Sequence, residues 1–557
     1  MLKKITLLLL LALSLNGTAQ YKYWVFMPSN QRFVEEFKNR PDSLTPAISD
    51  RALEKRVERG VSLEISDYQR RNRHLEGLLL EAGAEIHGYS RWLNAYSIET
   101  SHPVRELADV IDKRVLFQFG YYFNGFETQP VRSLIIEDVE NTSPILESHS
   151  AIRATAAAPP GDHWYDYGEA WQQTDMVKGH VLHDAGFEGR GMLIAVLDGA
   201  FYHANEWGGL QRAFDDGRVV ATYDFVNNDT NVFRAAGFHG TRVWSIMSAE
   251  MDGQLVGSAP KASYALLRSE DDESETKVEE DNWIFAMEYA DSLGADVINS
   301  SLGYTTFDSG IDYSPEDMDG RTAIVTYGAV MAHRKGMVVV TSAGNTGASN
   351  WRIVSAPADA DSVLAVGAVD SNRVVGGFSA RGPSADGRVK PDVMAQGVLT
   401  AHLGLYGLVT RGNGTSFSAP VLAGFAACFW EANPTASNYE IMNWIRQSAD
   451  RYGNPDSDYG YGIPNFGTAM ELSGAVEASP SYVFPNPADS EVRVRIDMEG
   501  PAEYTITTTD GAVVSTGEIQ FPRNDYLLLS SGISNGLYIL TVTSEGEVFS
   551  TKLLVRR

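Results

Sequence analysis

The chain has 557 residues, 43% of them hydrophobic, and a formal net charge of −27. This length exceeds what one hydrophobic core usually holds, so two to four structural units are expected. The negative charge argues against non-specific nucleic-acid binding, which requires a basic surface. It favours solubility outside the cell and attraction of basic substrates. The single cysteine, Cys428, excludes an intrachain disulfide, and its apolar neighbours predict a buried side chain rather than a nucleophile.

The first 19 residues have the pattern of a secretory signal peptide. Lys3 and Lys4 precede an apolar run at residues 7–15, and the small residues at 17–19 offer a cleavage site. The run is too short to serve as a permanent membrane span, and no other segment reaches about 18 apolar residues. We therefore expect an exported protein that is soluble or attached by its other end.

Residues 20–150 are predicted to form a separate small α/β unit. The patterns indicate a strand from residue 23, amphipathic helices at 49–59 and 68–82, and a strand at 90–98. A stretch rich in Ser, Ala, Thr and Pro follows. We place a linker and maturation site there, at residues 151–164.

Four polar residues in the middle of the chain occur where chemistry is expected. Asp198 ends an unbroken apolar run, which is typical of a strand buried in a parallel sheet, and ligands bind beyond the carboxyl ends of such strands. His239 lies in the segment Gly237-Phe238-His239-Gly240 at a predicted helix start. An imidazole that is exposed there can act as a general base near neutral pH. Asn345 follows a β-branched strand and offers an amide to an oxyanion. Ser416 lies between a Gly-Thr turn and a helix start. Each alone could equally be an ordinary turn, capping or surface residue.

The motifs around these residues resemble those of the subtilase family of subtilisin-like serine peptidases, over roughly residues 165–470. The order Asp198, His239, Ser416 is the order of the catalytic residues in that family. The motifs that carry the resemblance are Val196-Leu197-Asp198-Gly199, His239-Gly240-Thr241, Ile298-Asn299-Ser300-Ser301-Leu302-Gly303, Ser342-Ala343-Gly344-Asn345, Gly414-Thr415-Ser416-Phe417-Ser418-Ala419-Pro420, Lys390-Pro391-Asp392-Val393, and the pairs Phe378-Ser379 and Gly382-Pro383.

The resemblance implies an α/β peptidase domain at residues 165–475, with a parallel sheet covered by helices on both faces. It implies hydrolysis through Asp198, His239 and Ser416, with Asn345 in the oxyanion hole. It also implies that Ser301, Leu302 and Gly303 present backbone groups to an extended peptide, and an ordinary core strand is the alternative for that stretch. No cofactor is expected for the chemistry, no metal ligand is assigned, and a structural calcium ion stays open.

Two substitutions depart from the family pattern close to the predicted site. Tyr304 stands where many relatives have a second glycine, which predicts a reshaped substrate cleft. Phe417 follows the predicted nucleophile where many subtilisins have methionine, so an oxidisable thioether is missing there.

Residues 269–282 carry eight carboxylates against a single lysine, Lys277. A solvated charged loop is the default interpretation. A calcium site and a cleft wall that selects basic side chains are the two alternatives, and the spacing fits no EF-hand loop.

Both ends of the chain resemble accessory units of exported peptidases. The position of residues 20–150 and their Trp92-Leu93-Asn94-Ala95-Tyr96-Ser97 stretch resemble subtilase propeptides, which assist folding and inhibit the enzyme; a retained accessory domain is the alternative. Residues 476–557 alternate short strands with turns and predict an antiparallel β-sandwich. Their Pro485-Asn486-Pro487-Ala488, Gly536-Leu537-Tyr538 and Lys552-Leu553-Leu554-Val555 motifs resemble the type A sorting domain of the Bacteroidetes type IX secretion system, with an immunoglobulin-like appendage as the alternative.

The leading hypothesis is thus a secreted or surface-exposed serine endopeptidase, made as a precursor. Its expected partners are protein or peptide substrates, its own propeptide as inhibitor, and the type IX secretion machinery. A catalytically silent adhesin built on the same fold is the alternative from another class, and peptide transfer or ligation on the same acyl-enzyme is a third hypothesis.

Overall fold

The computed structural model describes residues 46–101 and 163–475 except residue 236, the strands at 21–26 and 118–119, and parts of the C-terminal region. Those parts are 482–484, 488, 491–495, 501–519, 525–529, 533–544 and 547–555. The predicted signal peptide and most of the predicted linker lie outside the described residues.

The N-terminal unit is a four-stranded antiparallel sheet with two helices, in the spatial order β2-β3-β1-β4. Its hydrophobic core includes Val25, Leu75, Leu79 and Ile98, all fully buried. The elements are β1 (Tyr21–Phe26), α1 (Asp50–Glu58), α2 (Arg73–Glu81), β2 (Glu85–Ser90), β3 (Ala95–Thr100) and β4 (Gln118–Phe119).

Two sequence predictions in this unit are wrong in their boundaries. The helix expected at 68–82 begins only at Arg73, because Asn72 caps it by accepting a hydrogen bond from the Leu75 N–H at 3.1 Å. The strand expected at 90–98 is two strands joined by a turn. The turn ends at Asn94, which has a φ of 50°, a conformation that asparagine tolerates better than most residues.

The centre of the peptidase region is a seven-stranded sheet in which every pairing is parallel. The strand order is β13-β12-β11-β10-β5-β9-β6. The bounds are β5 (Leu193–Asp198), β6 (Val219–Asp224), β9 (Ser263–Arg268), β10 (Val297–Ser300), β11 (Val338–Ser342), β12 (Leu364–Val369) and β13 (Val393–Gln396). Two small ribbons flank the sheet: β7 (Glu250–Met251) with β8 (Leu255–Val256), and β14 (Thr400–Leu403) with β15 (Val409–Gly412).

Helices cover both faces of this sheet, as the sequence predicts. Along β5, Ile194 and Val196 join one core, whereas Ala195 and Leu197 join the other, because successive side chains of a strand point to opposite faces. The helices are α3 (Trp171–Met176), α4 (His180–Asp184), α5 (Gly208–Asp215), α6 (His239–Ser248), α7 (Lys277–Leu293), α8 (Ile324–Arg334), α9 (Thr415–Ala432), α10 (Asn438–Gln447) and α11 (Phe466–Ser473).

Helices α6, α9 and α10 contribute to the first core, and α7 and α8 contribute to the second. The predicted burial of Cys428 is confirmed, since its thiol lies inside α9 and is inaccessible to solvent. Among the helices of the described chain, none combines the length and the apolar character that crossing a bilayer requires.

The N-terminal unit packs on α7 through an interface rich in ion pairs. Asp291 accepts hydrogen bonds from the guanidinium groups of Arg56 and Arg91, both at 2.7 Å. Glu288 accepts from the Arg91 backbone N–H at 3.0 Å. Burial raises the pKa of Glu288 to about 7, although the charge of Arg91 opposes that shift. Basic groups of the N-terminal unit thus neutralise acidic groups of the peptidase region.

The C-terminal strands form two antiparallel sheets around their own apolar core, as predicted. One sheet has the order β16-β17-β20 and the other β19-β18-β21-β22. The bounds are β16 (Tyr482–Phe484), β17 (Glu491–Arg495), β18 (Ala502–Thr508), β19 (Val513–Ile519), β20 (Asp525–Leu528), β21 (Gly536–Ser544) and β22 (Glu547–Val555).

Candidate active site

The residues singled out in the sequence come from four separate elements of the peptidase region. Asp198 is the last residue of β5, His239 the first of α6, and Ser416 the second of α9. Asn345 follows β11 after a short turn. Two of these elements are strands whose carboxyl ends share one edge of the parallel sheet, where such folds place ligands.

Asp198 and His239 form a directly hydrogen-bonded pair. The Asp198 Oδ1 atom lies 2.6 Å from Nδ1 of His239 and also accepts from the Gly199 N–H at 2.8 Å. Asp198 is fully buried, whereas 39% of the His239 side chain is exposed and can meet a substrate. Burial favours the neutral ring, but the charge and hydrogen bond of Asp198 outweigh it, so the pKa of His239 is raised above 6.5. The charge of Asp272 acts in the same direction.

Ser416 lies at the start of α9 and is held against residue 301. Its hydroxyl donates to the Ser301 carbonyl at 3.2 Å, and the Ser301 hydroxyl donates back to the Ser416 carbonyl at 3.0 Å. Within the described chain, the Ser416 hydroxyl makes no hydrogen bond with His239. The His239 ring is near α9, however, because it stacks 6.2 Å from the ring of Phe417.

Asn345 is oriented by Thr415. Its Oδ1 atom accepts from the Thr415 N–H at 2.9 Å and from the Thr415 hydroxyl at 3.0 Å. The same hydroxyl accepts from the Gly344 N–H at 3.2 Å. Since the amide oxygen is occupied, the amide nitrogen of the exposed Asn345 is left as a donor. These contacts indicate that Thr415 positions Asn345.

Phe417 is packed tightly beside the catalytic candidates. Its ring is 6% exposed and stacks 4.7 Å from that of His402. Burial lowers the pKa of His402 to about 4, so this second imidazole stays neutral near pH 7.

The stretch of residues 301–303 continues beyond the end of β10 without joining the sheet. Ser301 is buried, Leu302 is half-buried and Gly303 is exposed. The Ser342 hydroxyl donates to the Leu302 carbonyl at 3.2 Å. In the part of the chain that the structure describes, the backbone N–H and C=O of Gly303 have no hydrogen-bond partner. Gly303 is therefore not part of an ordinary core strand, which was the alternative for this stretch.

The default interpretation of residues 269–282 as a solvated loop is wrong for much of the segment. Glu270, Glu279 and Glu280 are at most 8% exposed. The hydroxyl of Tyr304 donates to Glu270 at 2.6 Å, and that of Tyr313 donates to Glu280 at 2.7 Å. The region is buried because α7 starts at Lys277 and because both tyrosines cover its carboxylates, which the local sequence does not reveal.

One carboxylate of this segment reaches the candidate active site. Asp272 is exposed, and its carboxylate lies so close to Gly199 and Gly237 that a side chain at either position would collide with it. Both glycines neighbour the catalytic candidates in sequence. Burial and the charge of Asp198 raise the pKa of Asp272, while the His239 charge opposes this shift. Asp272 was one of many acids in the sequence, and only its place in the fold distinguishes it.

A second group of carboxylates in the same segment could approach a cation. One oxygen from each of Glu270, Glu275 and Glu279 lies within 4.8 Å of the others. Burial, together with the charges of Glu279 and Glu280, raises the pKa of Glu275 to about 7. Glu279 is used internally, since it accepts from the Asp271 and Thr276 N–H groups. The calcium expectation therefore stays a prediction.

Three family models match separate parts of the chain. Residues 189–462 match the subtilase family, residues 22–115 match the Peptidase S8 propeptide domain of Bacteroidota, and residues 482–556 match a secretion system C-terminal sorting domain.

Characterised relatives align with the peptidase region. Subtilisin E of Bacillus subtilis (strain 168) is 32% identical over 298 residues, which cover 53% of this chain and 70% of the relative. Thermophilic serine proteinase of Bacillus sp. (strain AK1) is 31% identical over 336 residues, covering 58% and 73%. Two solved structures, Prenylagaramide maturation protease PagA and MycP1 without its N-terminal propeptide, align at 24% identity. Their TM-scores are 0.41 and 0.42, and they cover 52% and 54% of this chain and 98% and 96% of their own.

Proposed function

The chain belongs to the subtilase family and is a serine endopeptidase made as a precursor, and we propose that Asp198, His239 and Ser416 are its catalytic triad. The observation that carries this proposal is the 2.6 Å contact between the Asp198 carboxylate and the His239 ring, next to the start of α9. A buried carboxylate that raises the basicity of a partly exposed imidazole is what a general base near a serine requires.

The proposed reaction begins when the Ser416 hydroxyl leaves the Ser301 carbonyl and turns toward His239. Catalytic hydrogen bonds often tighten only when substrate is bound. Ser416 Oγ then attacks the scissile carbonyl, and His239 takes its proton and passes it to the leaving amine. Asp198 orients the ring and stabilises its charged form. Water attacks the acyl-enzyme in the second half of the reaction, with His239 again as the base.

Two donors are available for the oxyanion. The first is the amide nitrogen of Asn345, which Thr415 leaves free by holding the amide oxygen. The second is the Ser416 N–H, which lies in the first turn of α9, where helix N–H groups have no intrahelical partner. Donors held in place before the reaction stabilise the developing charge without reorganisation.

Two features of the cleft support a substrate class. The unpaired backbone groups of Gly303 suit an extended peptide that adds as a strand. The exposed carboxylate of Asp272, close to His239, suits a basic side chain next to the scissile bond. We therefore propose that the enzyme prefers extended peptides with Lys or Arg near the cleaved bond.

The two terminal units give the setting of the activity. The C-terminal sorting domain indicates export to a secreted or cell-surface location. We propose that the type IX machinery carries the protein across both membranes. We also propose that the chain divides into a propeptide at residues 20–150, a peptidase domain at 165–475 and a sorting domain at 476–557. Inhibition by the propeptide is a third proposal, which the buried ion pairs between the N-terminal unit and α7 support.

Labelling with a fluorophosphonate probe tests the assignment of the nucleophile. The matured protein should be labelled and should degrade casein, and Ser416→Ala should lose both properties. Ser418→Ala is the matched control, because Ser418 lies in the same helix and donates only to the Thr415 carbonyl. Equal labelling of the Ser416→Ala variant and the wild type would refute the triad, and a protein that binds ligands without hydrolysing any peptide would restore the adhesin hypothesis.

Cleavage of a proteome-derived peptide library tests the substrate class and also reveals any peptide transfer or ligation. Lys and Arg should be enriched near the cleaved bond for the wild type and not for Asp272→Asn. Glu273→Gln, which changes the next exposed acid of the segment, should keep the enrichment. A preference that is the same in all three proteins would exclude Asp272 as its cause.

A further inference from the structure

A compact group of metal-ligand side chains lies outside the candidate active site, at the beginning of the described peptidase region. His163 is the first described residue there, and His180 and Asp184 are the two ends of α4. One ligand atom from each of the three lies within 4.8 Å of the others. The three side chains are between 13% and 18% exposed, so a small ion from solvent can reach them.

Both imidazoles face the same carboxylate oxygen. Oδ2 of Asp184 is 2.8 Å from Nδ1 of His163 and 3.4 Å from Nδ1 of His180. The other oxygen, Oδ1, accepts the Trp164 N–H at 2.7 Å. The two oxygens of Asp184 thus have separate partners: Oδ2 faces two ring nitrogens, while Oδ1 is held by the backbone.

His180 also has a carboxylate at its opposite nitrogen. Nε2 of His180 lies 3.3 Å from Oδ1 of Asp175. A neutral imidazole carries one N–H and can donate to only one of these two carboxylates. If Nε2–H donates to Asp175, Nδ1 of His180 carries only a lone pair toward Asp184. A proton or a metal ion at Nδ1 is then needed to bridge this nitrogen and the Asp184 carboxylate. A ligating histidine whose other nitrogen donates to a carboxylate is the usual arrangement in metal sites.

The rings are held in place by aromatic packing. The His163 ring lies 4.8 Å from that of Trp171 and 4.5 Å from that of His180, and Trp171 lies 5.4 Å from His180. Two imidazoles and one carboxylate, without thiolates, match the ligands that zinc accepts. Calcium and magnesium prefer sets of oxygen atoms.

We propose that His163, His180 and Asp184 bind a zinc ion, with solvent in the remaining position. The ion joins residue 163, near the end of the predicted linker, to helix α4. It therefore fixes the beginning of the peptidase domain, which becomes a chain end if maturation cuts the linker. The site is structural and takes no part in the proposed hydrolysis.

Zinc binding to the full-length precursor carrying Ser416→Ala, produced without a histidine tag and stripped of metal, tests this proposal. Calorimetric titration should give one zinc ion per chain, and a zinc concentration 100 times the dissociation constant should raise Tm by about 5 °C. His163→Ala and Asp184→Asn should each weaken binding by at least about tenfold. Cobalt(II), used as a spectroscopic substitute, should give visible absorption that the same variants lose.

Two matched histidine variants control for other sites. His203 pairs with Glu206 at 2.8 Å on the surface, and His239 belongs to the candidate active site. His203→Ala and His239→Ala should keep the wild-type affinity. Wild-type affinity in both His163→Ala and Asp184→Asn, or no zinc binding by the parent protein, would each overturn the proposal. Asp184→Asn keeps the shape of the side chain, so its result stands even if an alanine variant fails to fold.

Discussion

Replacing Arg91 by alanine is expected to weaken inhibition by the N-terminal unit by about 100- to 1,000-fold. Arg91 is 7% exposed, and its guanidinium donates to Asp291 at 2.7 Å and to the Glu288 carbonyl at 2.9 Å. Removing one partner of a buried ion pair costs about 3–5 kcal/mol, because the remaining charge is left without compensation. Arg56 still pairs with Asp291, so the lower part of this range, about 3–4 kcal/mol, applies. At about 1.4 kcal/mol per tenfold, this gives the stated range.

The assay is inhibition of the matured enzyme by separately added residues 20–150, with circular dichroism to verify that each variant is folded. The apolar core of this unit, which includes the fully buried Leu75 and Leu79, does not involve the Arg91 side chain, so the variant should keep the fold of its unit. Arg73→Ala is the matched control, because 81% of that side chain is exposed and it lies 3.9 Å from Glu76. An exposed pair contributes about 0–1 kcal/mol, so the control should change the inhibition constant by no more than about fivefold.

A double-mutant cycle separates the ion pair from other effects of the substitution. Asp291→Asn in the enzyme should reduce the effect of Arg91→Ala by a coupling energy of about 0.5–3 kcal/mol. In the intact precursor, Arg91→Ala should shorten the delay before activity appears. An inhibition constant for folded Arg91→Ala within fivefold of the wild type would refute the argument that this interface depends on buried charge.

Three further outcomes follow from the candidate active site. His239 must be neutral to accept a proton, so activity should fall as pH drops through its raised pKa. Since the Asp272 charge contributes to that increase, Asp272→Asn should move the acid limb of the kcat/KM profile to lower pH, and an unchanged limb would contradict it. Thr415→Val should lower kcat about tenfold with little change in KM, because Asn345 loses one orienting hydrogen bond; a change confined to KM would argue against this role. The wild type should keep its activity in dilute hydrogen peroxide while Phe417→Met loses it, and equal loss would place the sensitive group elsewhere.

The elements that hold the candidate triad could be predicted from sequence because their signals are local. The apolar run before Asp198 is a strand with all six residues buried, as its lack of alternation indicates. The glycines near His239 and Ser416 likewise mark the starts of α6 and α9. The pairing of Asp198 with His239 could be inferred only from the resemblance to a family, since 41 residues separate them.

The features that could not be predicted depend on contacts between distant segments. Nothing near Glu270 in sequence indicates that Tyr304 covers it. The sequence therefore predicted a solvated carboxylate where the structure has a buried one. The turn after β2 was missed because Trp92 is apolar and buried, as strand residues often are, although it lies in a turn. His163 and His180 are 17 positions apart and match no short metal-binding motif, so only the fold brings them together.

The placement of Ser416 on α9 ties the proposed nucleophile to the core, whereas the residues proposed to select the substrate lie outside it. Residues 415–430 of this helix are all buried, and they run through the larger core between the strands and α6. The proposed nucleophile therefore belongs to the part of the molecule that tolerates the fewest substitutions. Asp272, by contrast, lies on an exposed segment outside the regular elements, where changes cost little stability. Substitutions at the rim of the cleft can thus change the proposed substrate preference, while the core keeps the hydroxyl of the proposed nucleophile in its position.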